Sequence, residues 1–405
     1  MNPKLRTPRI PKLFHITRWT YVQRTIPNIG DLFEPLEKCI REKFIPALIG
    51  RHISDTERKI LALPVRLGGI GIPNPVMTAD HEFSASVDIT HSLTEIICNQ
   101  ENNFNNYDKA EVENIIKRTK AAKNERVKTD ATNIVNSVDD KMKRIIELAQ
   151  EKGAGVWLTT IPTQSLGFAL NKQQFQDALC LRYGWKVPNT PNYCKCKEEN
   201  SIDHALICQK GGYSAMRHNR LRDLEAELMR EVCNDVRIEP ELLPLANDGM
   251  VSGNRALKPR LDVSGHGIWG PQEKTFLDIR VMHPNAPSYI GKDLATVYKQ
   301  HESAKKRTYN ERIIQIEKGS FTPIVFSTFG GMGIEAERYH KRLAQLISVK
   351  RNERYDAVIN YIRTRLRFCL LKSVLMSIRG IRGRSDREKI VPVSMLSFNL
   401  IQFDD

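Results

Sequence analysis

Apolar and polar residues alternate most regularly in the second half of the chain, where the pattern changes from a helical to a strand period and back. A repeat every three to four residues predicts helices, and a repeat every two residues predicts strands. In chain order the pattern predicts a helix over 217–232, a strand over 235–240, two strands around the glycine-rich turn at 265–270, a helix over 294–319, a strand over 321–328 and two helices reaching about residue 379. This order predicts an α/β fold in which helices flank a mixed sheet.

The first 90 residues show a helical period that prolines and glycines interrupt. Four apolar residues recur at helical spacing between two prolines that limit the helix: Leu36, Ile40, Phe44 and Leu48 between Pro35 and Pro46. A short capped helix at Asp55 follows, and it stops at Pro64. Gly68–Gly71 predict a turn of the backbone, because no strand–loop–helix arrangement of a phosphate-binding loop surrounds them.

Residues 91–152 are polar and rich in lysine, glutamate and asparagine, and they predict a helical spacer. Their apolar residues indicate two amphipathic helices joined by a mobile connection near residue 125, the second ending at Gly153. Residues 155–188 predict a short strand, a turn and a helix that starts at Asn171. Together these patterns divide the chain into 1–90, 91–152, 153–213, 214–390 and a tail at 391–405.

Charge adds an expected partner to this picture. The chain has 62 Lys and Arg against 47 Asp and Glu, which gives a formal net charge of +15 and a pI of about 9.4. Such an excess favours a polyanion, above all nucleic acid, although a basic solvated surface without a specific partner has the same composition. No run of about 18 apolar residues predicts a membrane span, and the N-terminus lacks the apolar stretch of a secretory signal. The eight cysteines are too sparse for a disulfide scaffold and favour a reducing compartment.

Four residues of the kinds that bind zinc occur close together, in the pattern C-x-C-x7-H-x3-C: Cys194, Cys196, His204 and Cys208. Three thiolates and one imidazole fill a tetrahedral zinc shell. A full shell leaves no position for water, so the spacing predicts a structural zinc ion whose binding contributes folding energy. The alternative is a buried pair of free cysteines beside a surface histidine.

Two aspartates lie near the ends of the two strand-like runs in 259–280. Asp278 alternates with Phe276 and Arg280 on one face of its strand, and Asp262 can approach it if the two strands pair. Paired carboxylates repel each other unless a cation lies between them, and oxygen ligands suit Mg²⁺ or Mn²⁺. Such an ion activates water for attack on a phosphodiester. Two exposed acids, one of them paired with Arg280, are the alternative.

The order of the parts resembles the C-terminal end of site-specific non-LTR retrotransposon proteins, which carry a restriction-like endonuclease of the PD-(D/E)xK kind behind a reverse transcriptase. The resemblance rests on the order of five motifs: the cysteine–histidine cluster, Arg217-His218-Asn219, Pro259 with Asp262, Asp278, and Tyr298-Lys299 on a helix. LPVRLGGIGIPNP, at 63–75, is similar to the stretch that follows the polymerase thumb in such elements. The resemblance covers most of the chain and is least distinct at 100–150.

This resemblance implies a restriction-endonuclease-like mixed sheet in 214–390, behind a post-thumb-like helical segment (1–90), a helical spacer (91–152) and a zinc-knuckle region (153–213). It implies that Asp262 and Asp278 hold Mg²⁺ or Mn²⁺ and that Lys299 and Arg280 are the other catalytic residues. The residues implied to bind DNA are Arg217, His218, Asn219, Tyr298, Lys305 and Lys306.

Two departures from the family pattern bear on catalysis. Two residues separate Pro259 from Asp262, where the general pattern has none. Arg280 occupies the usual place of a lysine, and an arginine stabilises phosphate charge but does not readily act as a base. In the retrotransposon group the lysine lies on the following helix, where three lysines are available. Lys299 is the first choice because it follows Tyr298.

We therefore expect a metal-dependent endonuclease that nicks target DNA in the nucleus, so that the element primes reverse transcription from the released 3′ hydroxyl. The polymerase site itself is not expected in this chain, since Asp139-Asp140 lies in a helical run, and the chain resembles the tail or a truncated copy of a longer element protein. The expected partner is DNA, with element RNA as a further candidate and neither a membrane nor a small-molecule substrate. The alternative is a degenerate copy that binds nucleic acid without cutting it.

The last two predicted helices carry many basic residues interleaved with aromatic ones. This pattern suits contact with a phosphate backbone, but an ordinary solvated helix shows it as well. The basic residues are Arg338, Lys341, Arg342, Lys350, Arg351, Arg354, Arg363, Arg365 and Arg367.

Overall fold

The computed structural model describes residues 18–100, 109–243 and 259–380. The chain forms two compact units that divide between Gln150 and Glu151. The N-terminal unit runs up to Gln150 and contains both the post-thumb-like segment and the predicted spacer. The C-terminal unit runs from Glu151 and contains the cysteine–histidine cluster together with the predicted endonuclease sheet. The predicted tail at 391–405 lies outside the described residues.

The described part of the N-terminal unit is helical. Its helices are α1 (Arg18–Thr25), α2 (Glu34–Cys39), α3 (Ile45–Ile49), α4 (Asp55–Ala62), α5 (Pro75–Cys98), α6 (Lys109–Ser137) and α7 (Asp140–Gln150). A π-helical turn, Ile40–Phe44, joins α2 to α3 and lets the helix continue to Pro46, which has no N–H to donate. The mobile connection predicted near residue 125 is wrong, because α6 passes through it. Residues 109–137 contain neither glycine nor proline, the two strongest helix breakers.

A buried ion pair and a tight turn order the first helices of this unit. Arg58 on α4 donates from Nε and Nη2 to the Glu37 carboxylate on α2, at 2.7 and 2.8 Å. Its Nη1 donates to the carbonyl of Ile72 at 2.8 Å. A Cβ on Gly69 would lie 1.9 Å from the carbonyl oxygen of Leu63, so only glycine fits there. The glycine-rich stretch is therefore a backbone turn, as predicted.

The C-terminal unit surrounds one four-stranded sheet with helices. Its strands, β1 (Asn234–Ile238), β2 (Val263–His266), β3 (Lys274–Met282) and β4 (Ser320–Ser327), lie side by side in that order. β1, β2 and β3 pair antiparallel, and β4 is parallel to β3. The helices are α8 (Val156–Thr159), α9 (Lys172–Tyr183), α10 (Ile202–Ile207), α11 (Tyr213–Arg230), α12 (Leu294–Arg312), α13 (Ile334–Arg351) and α14 (Tyr355–Arg379). The predicted mixed sheet with flanking helices is confirmed.

Helices pack on both faces of the sheet at β3 and β4, whereas β1 at the edge is largely exposed. Leu277 and Ile279 of β3 belong to the main core, which includes residues of α11, α13 and α14. On the opposite face, Phe276 belongs to one small apolar cluster and Met282 to another, the second of which includes Val297 of α12. Because α12 connects the parallel strands β3 and β4, it runs antiparallel to β3. Successive turns of α12 therefore face β3 in reverse order.

The segment before α9 differs from its prediction. The strand predicted near 155–160 is wrong, because Val156–Thr159 form one helical turn. This turn lets Trp157 pack edge-on against Phe175 of α9, with ring centroids 5.4 Å apart. The predicted start of α9 is confirmed: the side chain of Asn171 accepts a hydrogen bond from the backbone of Gln174 and caps the helix.

Several basic residues of α13 and α14 have partners within the C-terminal unit. Arg351 pairs with Glu231, and Arg365 pairs with Glu227. Arg367 is buried, and burial lowers its pKa to about 10. Since a paired or buried guanidinium offers less free charge to a phosphate, the basic pattern alone overstates the free positive charge of these two helices.

Candidate functional site

The four predicted zinc ligands converge at one point. Their ligand atoms all lie within 4.8 Å of one another. Sγ of Cys208 lies 3.8 Å from Sγ of Cys194 and 3.9 Å from Sγ of Cys196, and the latter lies 3.2 Å from Nε2 of His204. A tetrahedral zinc ion with bonds of about 2.3 Å to sulfur holds two sulfurs about 3.8 Å apart. The cluster therefore fits one metal ion such as zinc, and His204 is part of it rather than a free surface residue.

A turn and a short helix supply these ligands. The N–H of Lys197 donates to the carbonyl of Cys194 at 2.8 Å, which closes a turn around the first two cysteines. The hydroxyl of Ser201 accepts from the N–H of His204 at 3.0 Å and caps α10. His204 lies in the first turn of α10, and Cys208 follows its last residue. Cys194 and Cys208 are buried although the segment has little apolar core of its own. Metal binding would therefore supply the folding free energy that apolar packing does not.

Two polar contacts attach the cluster segment to the sheet and to α11. His283 lies just after β3. Its Nδ1 is 2.8 Å from Oγ1 of Thr328, and its Nε2 is 2.8 Å from Oδ1 of Asp203. Arg217 of α11 donates from Nη2 to the carbonyl of Leu206 at 3.2 Å. Burial lowers the pKa of Arg217 to about 10. Arg217, which the resemblance assigns to DNA, thus lies inside the unit against α10.

The two aspartates lie where β2 and β3 separate. The strands pair as far as Val263, and the N–H of Asp262 still donates to the carbonyl of Leu277 at 3.1 Å. The residues before Asp262 follow the extension of β1 instead. Ile279 of β3 thereby has no β2 backbone partner, and Oδ2 of Asp262 accepts its N–H at 2.5 Å. The register places Asp262 directly opposite Asp278.

His218 holds Asp262 from α11. Its Nε2 lies 3.1 Å from Oδ2 of Asp262 and 3.1 Å from the carbonyl oxygen of Ile279. Two acceptors facing one nitrogen require that this nitrogen carries the proton. The hydrogen bond to Asp262 raises the pKa of His218. Burial opposes ionisation of Asp262, but the hydrogen bond and charge of His218 outweigh it and hold the pKa of this aspartate below its usual range. His218, with Asn219 beside it, is thus part of the carboxylate site.

Asp278 is only 6% exposed and faces α12 between the two small apolar clusters. Nζ of Lys305 lies 2.7 Å from its Oδ2, yet this oxygen has no partner with hydrogen-bond geometry among the described residues. Burial raises the pKa of Asp278 to about 6, the charge of Lys305 opposes this rise, and nearby Asp262 adds to it. The register of β2 and β3 brings the two carboxylates opposite each other, and each affects the pKa of the other. Burial therefore favours the protonated form of Asp278 up to a higher pH than for an ordinary aspartate.

The lysine at the carboxylates is Lys305, not Lys299. Lys299 is exposed on α12, whereas Lys305 reaches Asp278. Lys306 pairs with Glu335 at 2.7 Å. The sequence did contain a signal for this arrangement, because Lys305 follows the buried Val297 and Tyr298 by seven or eight residues and so shares their helix face.

Tyr298 and Arg280 also lie in different surroundings from those that the resemblance implies. Tyr298 is buried, and its hydroxyl donates to Glu151. Burial and the Glu151 carboxylate raise the pKa of Tyr298 well above its ordinary value, so it lies in the packing of the unit. Arg280 is exposed two residues after Asp278, and its guanidinium has no hydrogen bond or ion pair with any residue that the structure describes.

Comparison with known proteins gives no family. No protein-family model matches the chain, and no curated protein matches it. Within the described residues, no helix has the length and apolar character needed to cross a membrane. The functional conclusion therefore rests on the two side-chain clusters.

Replacing Asp278 with asparagine is expected to stabilise the protein at pH 7.5 in the absence of Mg²⁺ and Mn²⁺. The pKa of Asp278 is raised from 3.8 to about 6 on folding. Its contribution to stability is therefore full below the lower value and is lost as the pH rises through the higher one. Asparagine does not ionise, so D278N should melt a few degrees higher than wild type at pH 7.5, at about 2–4 °C per kcal/mol. The gain should shrink at pH 5.

Thermal unfolding in buffer without added Mg²⁺ or Mn²⁺, followed by circular dichroism at both pH values, measures this gain. D223N, at an exposed carboxylate of α11, is the control and should change the melting temperature little. A D278N protein that melts below wild type at pH 7.5 would show that the Lys305 ion pair outweighs the cost of burial.

Proposed function

We propose that this chain is a metal-dependent DNA endonuclease module of a non-LTR retrotransposon, with a restriction-endonuclease-like C-terminal unit. The observation that carries the proposal is the approach of Asp262 and Asp278 where β2 and β3 separate, with Lys305 against Asp278. The order of motifs along the sequence supports the same assignment. The net charge of +15 favours a polyanionic substrate.

The donor atoms at this point suit a hard divalent cation. Asp278 contributes a buried oxygen that Lys305 approaches without hydrogen-bond geometry, and Asp262 contributes a second carboxylate. Carboxylate and carbonyl oxygens are the ligands that Mg²⁺ and Mn²⁺ prefer, so these two residues, with the Ile279 carbonyl beside them, would hold the ion. When bound, the ion supplies a water of lowered pKa and neutralises charge on the phosphodiester.

The side chains around the carboxylates have distinct tasks in this proposal. His218 orients Asp262 through Nε2 and keeps it ionised. Lys305 brings a positive charge to Asp278, where it can position a water molecule or a phosphate oxygen. The side chain of Arg280 leaves the same face of β3 as Asp278. Its unpaired guanidinium can stabilise charge on phosphate oxygens. Lys299 has no task at this site.

The wider setting follows from the resemblance. A nick in target DNA would provide the 3′ hydroxyl from which an element primes reverse transcription, which places the activity in the nucleus. DNA is then the substrate, and element RNA is a further candidate partner. The Cys3His cluster would hold a structural zinc ion, since all four ligand positions come from the protein.

Nicking of supercoiled plasmid tests the proposal. Purified protein with Mg²⁺ or Mn²⁺ should convert supercoiled plasmid into open circles, and EDTA should prevent the conversion. The double variant D262N/D278N, purified in the same way, should be inactive and exposes any contaminating nuclease. Its circular dichroism spectrum shows whether the fold is retained.

Two outcomes contradict the proposal. Absence of open circles with both metals excludes the activity, and equal nicking by the double variant assigns it to a contaminant. A wild-type protein that retards the plasmid on a gel without nicking it would instead support the second candidate, a copy that binds nucleic acid and no longer cuts it.

A further inference from the structure

Arg280 occupies an unusual position for an arginine. It follows the buried Asp278 by two residues on β3, so both side chains leave the same face of the strand. Most other arginines discussed above are paired or buried, but the side chain of Arg280 is exposed and its guanidinium makes no hydrogen bond or ion pair with the described residues. An unpaired guanidinium fixed to the middle strand of a packed sheet is available to an anion from outside the protein.

His301 lies on the helix that covers this strand face. It is half-buried, and its Nε2 lies 2.8 Å from the hydroxyl of Tyr289. The two rings meet edge to face, with centroids 5.4 Å apart. These two contacts with Tyr289 fix the orientation of the imidazole. A histidine that only faces solvent needs no such contacts.

Topology brings His301 to Arg280. α12 runs antiparallel to β3, and Lys305 of α12 meets Asp278. His301, one helical turn before Lys305, therefore faces the part of β3 that follows Asp278, which is where Arg280 lies. The electrostatics agree with this placement, because burial lowers the pKa of His301 and the charges of Arg280 and Lys305 lower it further.

We propose that Arg280 and His301 form a phosphate subsite beside the two carboxylates. This subsite binds a phosphodiester that neighbours the scissile phosphodiester in the same DNA strand. Tyr289 is the positioning residue that holds the imidazole toward this subsite. The inference rests on the proposed function for the identity of the ligand. The subsite itself rests on the unpaired guanidinium, the fixed imidazole and the ammonium of Lys305, which lie together on one face.

A nucleic-acid phosphate suits this group better than a protein carboxylate would. Arg280 donates through a planar fork, which matches two oxygens of one phosphate. The subsite lies next to Asp262 and Asp278, so a strand bound at a metal between them necessarily passes close to Arg280. A phosphate bound there would also contact the imidazole of His301. Its negative charge is compatible with a protonated imidazole.

DNA binding can be measured without cleavage. All variants are made in the full chain carrying D262N and D278N, and the affinity for a fluorescent DNA duplex is measured by anisotropy at several salt concentrations. R280M should lower the slope of log K against log salt by about 0.9, the contribution of one phosphate contact. R307M is the matched control and should leave the slope unchanged. Arg307 is an exposed arginine of the same helix, and it lies two residues after Lys305, about 200° around the helix from the subsite.

A variant cycle tests the role of Tyr289. Y289F and H301A should each weaken binding several-fold, and the double variant should bind no more weakly than H301A alone, because Tyr289 acts through His301. Additive losses would show that Tyr289 contacts DNA itself or only supports the fold. A variant that melts close to the temperature of the parent protein retains its fold, which excludes a loss of folding as the cause of its weaker binding.

The outcomes separate this inference from the proposed function. An unchanged salt slope in R280M overturns the subsite even if the wild-type protein nicks plasmid. A wild-type protein that never nicks overturns the endonuclease, whereas a reduced slope in R280M with an unchanged slope in R307M would still establish the phosphate subsite.

Discussion

Replacing Lys305 with methionine should lower Mg²⁺-dependent nicking by about 100-fold or more, while K299M should stay within about twofold of wild type. The ammonium of Lys305 lies 2.7 Å from Oδ2 of Asp278, whereas Lys299 is exposed elsewhere on α12. Loss of one preorganised charge at a reacting phosphate costs about 10²–10³ in rate. Methionine keeps most of the length and apolar stem of the lysine, so the packing of this side chain between α12 and β3 is retained.

Single-turnover nicking at saturating Mg²⁺ measures this difference, because it separates the chemical step from product release. K306M provides a further control, since Lys306 pairs with Glu335 rather than with the carboxylate site. A large loss in K299M together with little loss in K305M would contradict the structural assignment and restore the choice that the motif order suggests. Loss in all three variants would indicate a general effect of positive charge on DNA binding.

The contrast between Lys299 and Lys305 shows how much of the site can be predicted from the sequence alone. Periodicity located α12 and β3, and motif order located the lysines, but the adjacency of Tyr298 and Lys299 favoured the wrong helix face. Neighbours in sequence lie about 100° apart on a helix. The face that meets the sheet is decided by burial of Val297 and Tyr298, and Lys305 continues that face.

Other features depend on contacts between distant residues, which one sequence does not contain. The hydroxyl of Tyr298 is bound by Glu151, 147 residues earlier. His218 reaches Asp262 across 44 residues and only because β2 leaves β3 at that point. By contrast, the four residues of the cysteine–histidine cluster lie within one short segment, so their spacing alone was enough to predict that they converge.

Loss of one zinc ligand should destabilise the C-terminal unit by several kcal/mol. In C208S the zinc content should fall from one ion per chain to nearly none, and the unit should melt about 6–12 °C lower, which corresponds to about 3 kcal/mol or more. The effect should extend beyond the cluster, because Asp203 holds His283 after β3 and the Leu206 carbonyl holds Arg217 on α11. Each buried polar group that loses its partner costs about 1–3 kcal/mol.

Metal analysis of the purified protein, with thermal unfolding followed by tryptophan fluorescence, measures both effects. Trp157, Trp185 and Trp269 lie in the C-terminal unit and pack against its core, so they report on the part that contains the cluster. C233S is the matched control: Cys233 is also buried in this unit, but its sulfur lies outside the cluster, so zinc should remain at one ion per chain. A wild-type protein that contains no zinc and melts at the same temperature with and without a strong chelator would contradict the structural role. In that case the contacts of Asp203 and Leu206 would have to hold α10 in place without a metal.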